Sequence, residues 1–279
     1  MNAPQSHAPI TLDHWIGGQA LPPQGGAYFD DLNPLDASVY AHAADGNAAD
    51  VERAVQAAAQ AFPAFRKLLA KDREALLQKA ADQLGVENPI VLGHSFGGAV
   101  ALAWGLQRPK DTAALVLVSA VSEPWPGGLG WLYNVSASRL GGALFIPAVT
   151  AFVPESVVQS SIEAIFAPQP APEGYADHIG TGLTLRRSAS RANAQQVHQL
   201  RPHVVEMAAQ YDRLTMPVEI IHGDADTIVP MHIHAEELIN DIPNGALTRL
   251  PGMGHMPHHA DPQAVVDTID RAATRAGLR

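Results

Sequence analysis

The chain has 279 residues, of which 47% are hydrophobic, enough to fill the core of one large α/β domain or two smaller ones. A formal charge of −10 leaves no basic footprint for nucleic acid, and the absence of cysteine excludes disulfides, thiolate metal sites and cysteine catalysis. The opening text MNAPQSHAPITLDHW has neither a basic n-region nor an apolar h-region. The most apolar stretch, GGALFIPAVTAFVP (141–154), falls short of the roughly 20 residues that span a bilayer, so a cytoplasmic protein with no membrane partner is expected.

In chain order, HWIGGQALPPQGGAYFDDLNP predicts short strands around glycine turns, with Gly17-Gly18 at a hairpin tip. GNAADVERAVQAAAQAF predicts an alanine-rich amphipathic helix, with Asn47 or Asp50 near its start as caps and Pro63 interrupting its end. KDREALLQKAADQL predicts a second helix, and a junction falls between Leu76 and Gly85. From there the grammar changes. Four apolar runs follow, Pro89 to Gly93, Ala113 to Ser119, Pro217 to Gly223 and Ala246 to Leu250. Helical text stands between and after them: AVALAWGLQ, HIHAEELIND from His232, and DPQAVVDTIDRAATRA from Asp261. Such alternation predicts a mainly parallel sheet covered on both faces. The interval from Val121 to about Arg213 breaks the rhythm and reads as a cap inserted over one end of the sheet.

Within PIVLGHSFGGAVALAWG (89–105), Ser95 lies in a G-x-S-x-G motif between an apolar strand and a helix. With 12 serines and 23 glycines in the chain, chance gives about 0.08 such matches, so the motif is moderate evidence and its setting supplies the rest. A strand–serine–helix corner holds a nucleophile in a strained, exposed conformation, and Gly93 and Gly97 are expected to relieve crowding there. The helix leaving the corner points its positive end at the site, and the Phe96 backbone N–H is the expected oxyanion donor.

A serine hydroxyl needs a base, and the base needs an orienting carboxylate. Asp226 lies just past the third apolar run and His255 just past the fourth, on the rim where Ser95 is expected. Asp224 and Glu123 are the competing carboxylates, with Asp224 read as a turn cap. His258 and His259 compete with His255 but lie outside the G-x-G-H turn. His232 and His234 could suggest a metal pair; a solvated helix start is the expected reading, with no metal and no cofactor. The aromatic residues Trp125, Trp131, Tyr133 and Phe152 make the cap apolar, which suits a small apolar acyl group.

Nucleophile elbow, cap, acid loop, histidine loop and closing helix follow one another over residues 85–279, and this text resembles an α/β-hydrolase. The resemblance implies a serine esterase acting on a small molecule, with carbon–carbon bond hydrolysis open to the same residues. The stretch before Ser95 departs from that family: it has no His-Gly pair to supply a second oxyanion donor. Losing one such donor typically lowers the rate about 10²- to 10³-fold. Residues 10–84 instead are similar to the N-terminal arm of aldehyde dehydrogenases, in Ile16-Gly17-Gly18-Gln19, Asn33-Pro34, the alanine-rich helix ending Ala61-Phe62-Pro63 and the helix containing Arg73. The expected organisation is therefore chimeric: a non-catalytic segment 1–84, then a truncated hydrolase core 85–279 with its cap at about 121–213. Truncation leaves the Pro89–Gly93 strand as an open edge, and homo-oligomers through the N-terminal segment are expected. The alternative is a vestigial hybrid whose arm mediates self-association.

Overall fold

The computed structural model describes residues 8–32, 38–65, 79–83, 85–126, 154–181 and 186–279. The chain divides into two compact units, residues 1–85 and 86–279.

In the first unit, β1 (Ile10–Leu12) runs parallel to β5 (Val39–Ala44), and β4 (Tyr28–Leu32) pairs antiparallel with β5's other edge. β2 (His14–Ile16) and β3 (Gln19–Leu21) form the expected hairpin. Its tip needs two residues in the left-handed region, and Gly17 and Gly18 stand there at φ 61° and 81°. α1 (Ala48–Phe65) is capped by both expected residues at once. Asn47 Oδ1 accepts from the Ala49 and Asp50 N–H groups, while the Asp50 carboxylate accepts from those of Asn47 and Gln24. Pro63 does not interrupt this helix, which continues to Phe65. So near the helix end its missing N–H removes a single bond in the last turn. Residues 79–83 are helical, and the rest of the expected second helix, Arg73 included, lies outside the described residues.

The second unit is built on four parallel strands in the order β6 (Ile90–His94), β7 (Ala114–Val118), β8 (Val218–Gly223) and β9 (Gly245–Leu250). β7 and β8 are buried along their whole length, because helices cover both faces of the sheet. Leu115, Leu117 and Ile220 pack with Leu102 and Leu106 of α2 (Phe96–Gln107) and Leu238 of α6 (Ala235–Asp241). On the opposite face Val116, Val118 and Ile221 pack with Val265 and Ala272 of α8 (Pro262–Arg275). Asp261, between the short α7 (Pro257–Ala260) and α8, is the N-cap of α8, its side chain accepting from the Ala264 N–H. Glu219, buried on β8, is held by Arg271 and Arg275 of α8 at 3.3 and 2.7 Å.

Between β7 and β8 the described residues form α3 (Glu155–Phe166), α4 (Tyr175–His178), α5 (Arg187–Ala208) and a 3-10 turn, Tyr211–Arg213. Residues 127–153, with Trp131, Tyr133 and Phe152, lie outside the described residues. The helix expected from His232 begins only at Ala235. Among the described residues β6 stands at one edge of this sheet, and Leu92 is 46% exposed.

Candidate active site

The corner between β6 and α2 carries Ser95 at φ 53°, ψ −119°, a backbone conformation that non-glycine residues rarely adopt. Its N–H donates to Val118 O, and its own carbonyl accepts from Gly98 and Val121, so the strained residue is held from both sides. Two glycines make the corner possible. A Cβ on Gly93 would lie 2.1 Å from Gly97 O, and one on Gly98 would lie 2.2 Å from the Ala120 Cβ. Gly97, expected to share that role, has nothing within 4 Å of such an atom; the crowded position is Gly98, where α2 crosses the end of β7. Phe96 opens α2, so its N–H has no acceptor within the helix and stands beside Ser95.

Because the strands are parallel, the loops after β6, β8 and β9 emerge on one rim. Ser95, Asp226 and His255 meet there. His255 Nε2 lies 3.0 Å from Ser95 Oγ, and His255 Nδ1 lies 2.8 Å from Asp226 Oδ2. Asp226 and His255 are buried, at 5% and 4% exposure. Asp226 Oδ1 accepts from the Ile228 and Val229 N–H groups. Burial alone would push its carboxyl up, but hydrogen bonds from His222 and His255, with that from Val229, hold it well below the usual carboxylate range. An ionised carboxylate only accepts, so Nδ1 of His255 carries a hydrogen and, in the neutral ring, Nε2 offers its lone pair to the serine hydroxyl.

The competing residues go elsewhere. Asp224 caps a turn, its Oδ1 accepting from the Gly252 N–H at 2.7 Å. Glu123 is buried beside Tyr211 rather than His255, and burial, reinforced by the Asp241 and Glu237 carboxylates, pushes its carboxyl up to about 8. His258 is held down to about 4 by burial and by the neighbouring imidazoles of His94, His259 and His255. His94 packs between His255 and His258 with its ring tilted to both, and donates from Nε2 to the His255 carbonyl, fixing the main chain of the histidine loop.

The pair His232 and His234 is not a solvated helix start. His232 is exposed, but His234 is buried, and its Nδ1 accepts from the N–H groups of Ser122 and Glu123 at 3.2 and 3.1 Å. An acceptor nitrogen must be deprotonated, and burial with the nearby His222 accordingly lowers this imidazole to about 4. Among the described residues no three His, Asp or Glu side chains come together as a metal-ligand set. Trp125 packs against this cluster, its ring 6.2 Å from that of His234.

Two further residues escaped the sequence reading. Gln169 donates from Nε2 to Gly252 O and accepts at Oε1 from the Gly254 N–H, both at 2.8 Å, so a side chain from the segment after α3 straps down the loop carrying His255. Gly254 lets the two segments touch, since a Cβ there would lie 2.1 Å from Ala167 O. The other is His222, the neighbour of Gly223 at the end of β8, 3.3 Å from Asp226 Oδ2. A histidine closing the strand before an acid loop was a usable signal; Gln169, in APQPAPEG, offered none.

Solved structures of the same fold include an α/β-hydrolase fold protein from Burkholderia ambifaria, 23% identical, with a TM-score of 0.52 over 70% of each chain. Another is 2-hydroxy-6-oxo-6-phenylhexa-2,4-dienoate hydrolase from Rhodococcus sp. strain RHA1, 19% identical, with a TM-score of 0.53 over 69% of this chain and 66% of that one. Among curated proteins, an aldehyde dehydrogenase of Deinococcus radiodurans is 38% identical over 112 residues, 40% of this chain, a partial match consistent with the N-terminal segment. The polyketide synthase ThaQ of Burkholderia thailandensis is 32% identical over 171 residues, 59% of this chain. This chain spans only 20% and 8% of the lengths of those two proteins. It covers 70% of the pimeloyl-[acyl-carrier protein] methyl ester esterase of Aromatoleum aromaticum, 28% identical over 196 residues and 63% of this chain. The family model described as serine aminopeptidase, S33, matches residues 26–263, well over half of the sequence, and its span reaches into the aldehyde-dehydrogenase-like segment. With a four-stranded parallel sheet and a serine corner of this geometry, the chain belongs to that serine aminopeptidase S33 family of α/β-hydrolases.

Proposed function

We propose that residues 85–279 form a serine hydrolase, esterase-like, in which Ser95 is the nucleophile, His255 the general base and Asp226 the carboxylate that orients it. The observation that carries this reading is the continuous relay from Ser95 Oγ through His255 to Asp226, at 3.0 and 2.8 Å, beginning at a strained corner. His255 Nε2 takes the hydroxyl proton as Ser95 Oγ bonds to the substrate carbonyl carbon, and the Phe96 N–H donates to the oxygen that becomes anionic. The same imidazolium then protonates the departing alkoxide. Water, activated in turn by His255, cleaves the acyl-serine and regenerates the enzyme. Asp226 stabilises the imidazolium at Nδ1 throughout. An ester of a small apolar acyl group is the substrate class, supported by the methyl ester esterase among the relatives and by the apolar character of the text between β7 and β8.

Incubation with a fluorophosphonate probe and a short-chain p-nitrophenyl ester tests the reading, with an aminoacyl p-nitroanilide alongside to compare amide cleavage. Wild-type protein is expected to be labelled and to release p-nitrophenol, and Ser95→Ala to lose both, with turnover reduced at least about 10³-fold. Well-folded wild-type protein that is neither labelled nor active would sink the proposal.

A second reading, self-association through the N-terminal segment with or without catalysis, is favoured by a specific feature of the first unit. The β-pairing register places Ile10, Leu12 and Phe29 on one face of its sheet, and each is 43–56% exposed.

A further inference from the structure

One buried imidazole outside the relay touches it directly. His222 is completely buried at the end of β8, the point from which the acid loop departs. Its Nε2 lies 2.7 Å from Val229 O and 3.3 Å from Asp226 Oδ2. A carbonyl oxygen only accepts, so Nε2 carries a hydrogen; that N–H donates to Val229 O, and Asp226 Oδ2 lies beside it as a longer charge contact. Nδ1 has no hydrogen-bond partner among the described residues, so the ring's polar contacts are all made from Nε2.

The arrangement leaves the Asp226 carboxylate little freedom. Its Oδ1 is taken by the Ile228 and Val229 N–H groups, and its Oδ2 faces His255 Nδ1 and His222 Nε2. The same Val229 that donates to Oδ1 through its N–H receives His222 at its carbonyl, so both peptide groups flanking this one residue are tied down. Without His222, Oδ2 would keep His255 as its one side-chain donor, and Val229 O would lose its buried partner.

We propose that His222 is a positioning residue for the catalytic carboxylate: its Nε2–H, donated to Val229 O and lying against Asp226 Oδ2, sets the direction in which Asp226 meets His255. The proposal rests on the serine-hydrolase reading above for its kinetic consequence but not for its structural one.

The test measures ester hydrolysis by wild type and by His222→Gln, His222→Met, His222→Asn, Asp226→Asn and the double variant His222→Met/Asp226→Asn. Glutamine keeps an N–H donor near the Nε2 position, whereas methionine removes it and asparagine withdraws it toward the Nδ1 position. Methionine and asparagine are each expected to lower kcat about tenfold with KM unchanged, and glutamine to restore most of the loss. In the Asp226→Asn background, His222→Met is expected to change kcat less than twofold, because the group through which it acts is already altered. Equal losses for glutamine and methionine, or an undiminished loss in that background, would mark a merely structural role and overturn the proposal. A second readout needs no turnover: the low-field proton resonance of His255 Nδ1–H. It is expected to be sharp in wild type and His222→Gln and broadened in His222→Asn and His222→Met. An identical line in all four overturns the proposal even if wild-type protein proves inactive, an outcome that would refute Ser95 as nucleophile independently.

Discussion

Glu123 shows how a single buried side chain can set a pH dependence. Its Oε1 has no hydrogen-bond partner among the described residues, and its carboxyl is raised from an ordinary 4.5 to about 8 by burial, with Asp241 and Glu237 adding to the effect. Below pH 4.5 the folded and unfolded chains both hold this proton, so it does not affect their balance. Between 4.5 and about 8 the unfolded chain releases it while the folded chain keeps it, and stability therefore falls as pH rises through that window. Above about 8 the penalty is complete. Glu123→Gln removes the ionisation while keeping the shape. Denaturant unfolding is expected to find the variant on the order of 1–3 kcal/mol more stable than wild type at pH 8, with no gain near pH 4.5. A variant no more stable than wild type at pH 8 would show that water already solvates the carboxylate. His234 next to it explains why the carboxyl cannot simply be turned out: the imidazole holds the Ser122 and Glu123 N–H groups, and Tyr211 Oη donates to Ser122 O.

Two elements meet closely where the segment after α3 crosses the histidine loop. That segment supplies no group to the relay, yet Gln169 makes two main-chain hydrogen bonds on either side of Met253, and the Ala167 carbonyl lies against Gly254. A loop held this way keeps His255 facing Ser95 without relying on the imidazole's own contacts. Gln169→Ala is expected to lower unfolding free energy by about 1–2 kcal/mol and to speed hydrogen exchange at the Gly254 amide, read by thermal melts and by exchange mass spectrometry. Unaltered exchange at Gly254 would mean that the glycine's packing against Ala167 suffices. The corner before α2 obeys a similar rule of close approach. Gly98, not Gly97, is the crowded position, because the helix must pass the end of β7 at Ala120 as it leaves the strained serine.

For the whole molecule, the question is what covers a four-stranded sheet whose first strand is an edge. Leu92 on β6 is exposed, and the N-terminal unit shows its own apolar face at Ile10, Leu12 and Phe29. Sedimentation velocity is expected to find dimers or larger species that dissociate on dilution, and Leu12→Lys with Phe29→Lys to shift them toward monomer; a monomer at every concentration would remove the argument for self-association. The sequence by itself determined the strand runs, the hairpin at Gly17-Gly18, the capped first helix, the order Ser95, Asp226, His255 and the likeness to two families. All of these are local: hydrophobic period, turn chemistry and short motifs are written in consecutive residues. Tertiary structure alone brought Asp226, and neither Asp224 nor Glu123, to His255, buried His234, strapped the histidine loop with Gln169 and set His222 beside Asp226. Each of those outcomes depends on which side chains parallel strands carry to the same rim, and residues as far apart as 95 and 255 acquire a distance only when the sheet has formed.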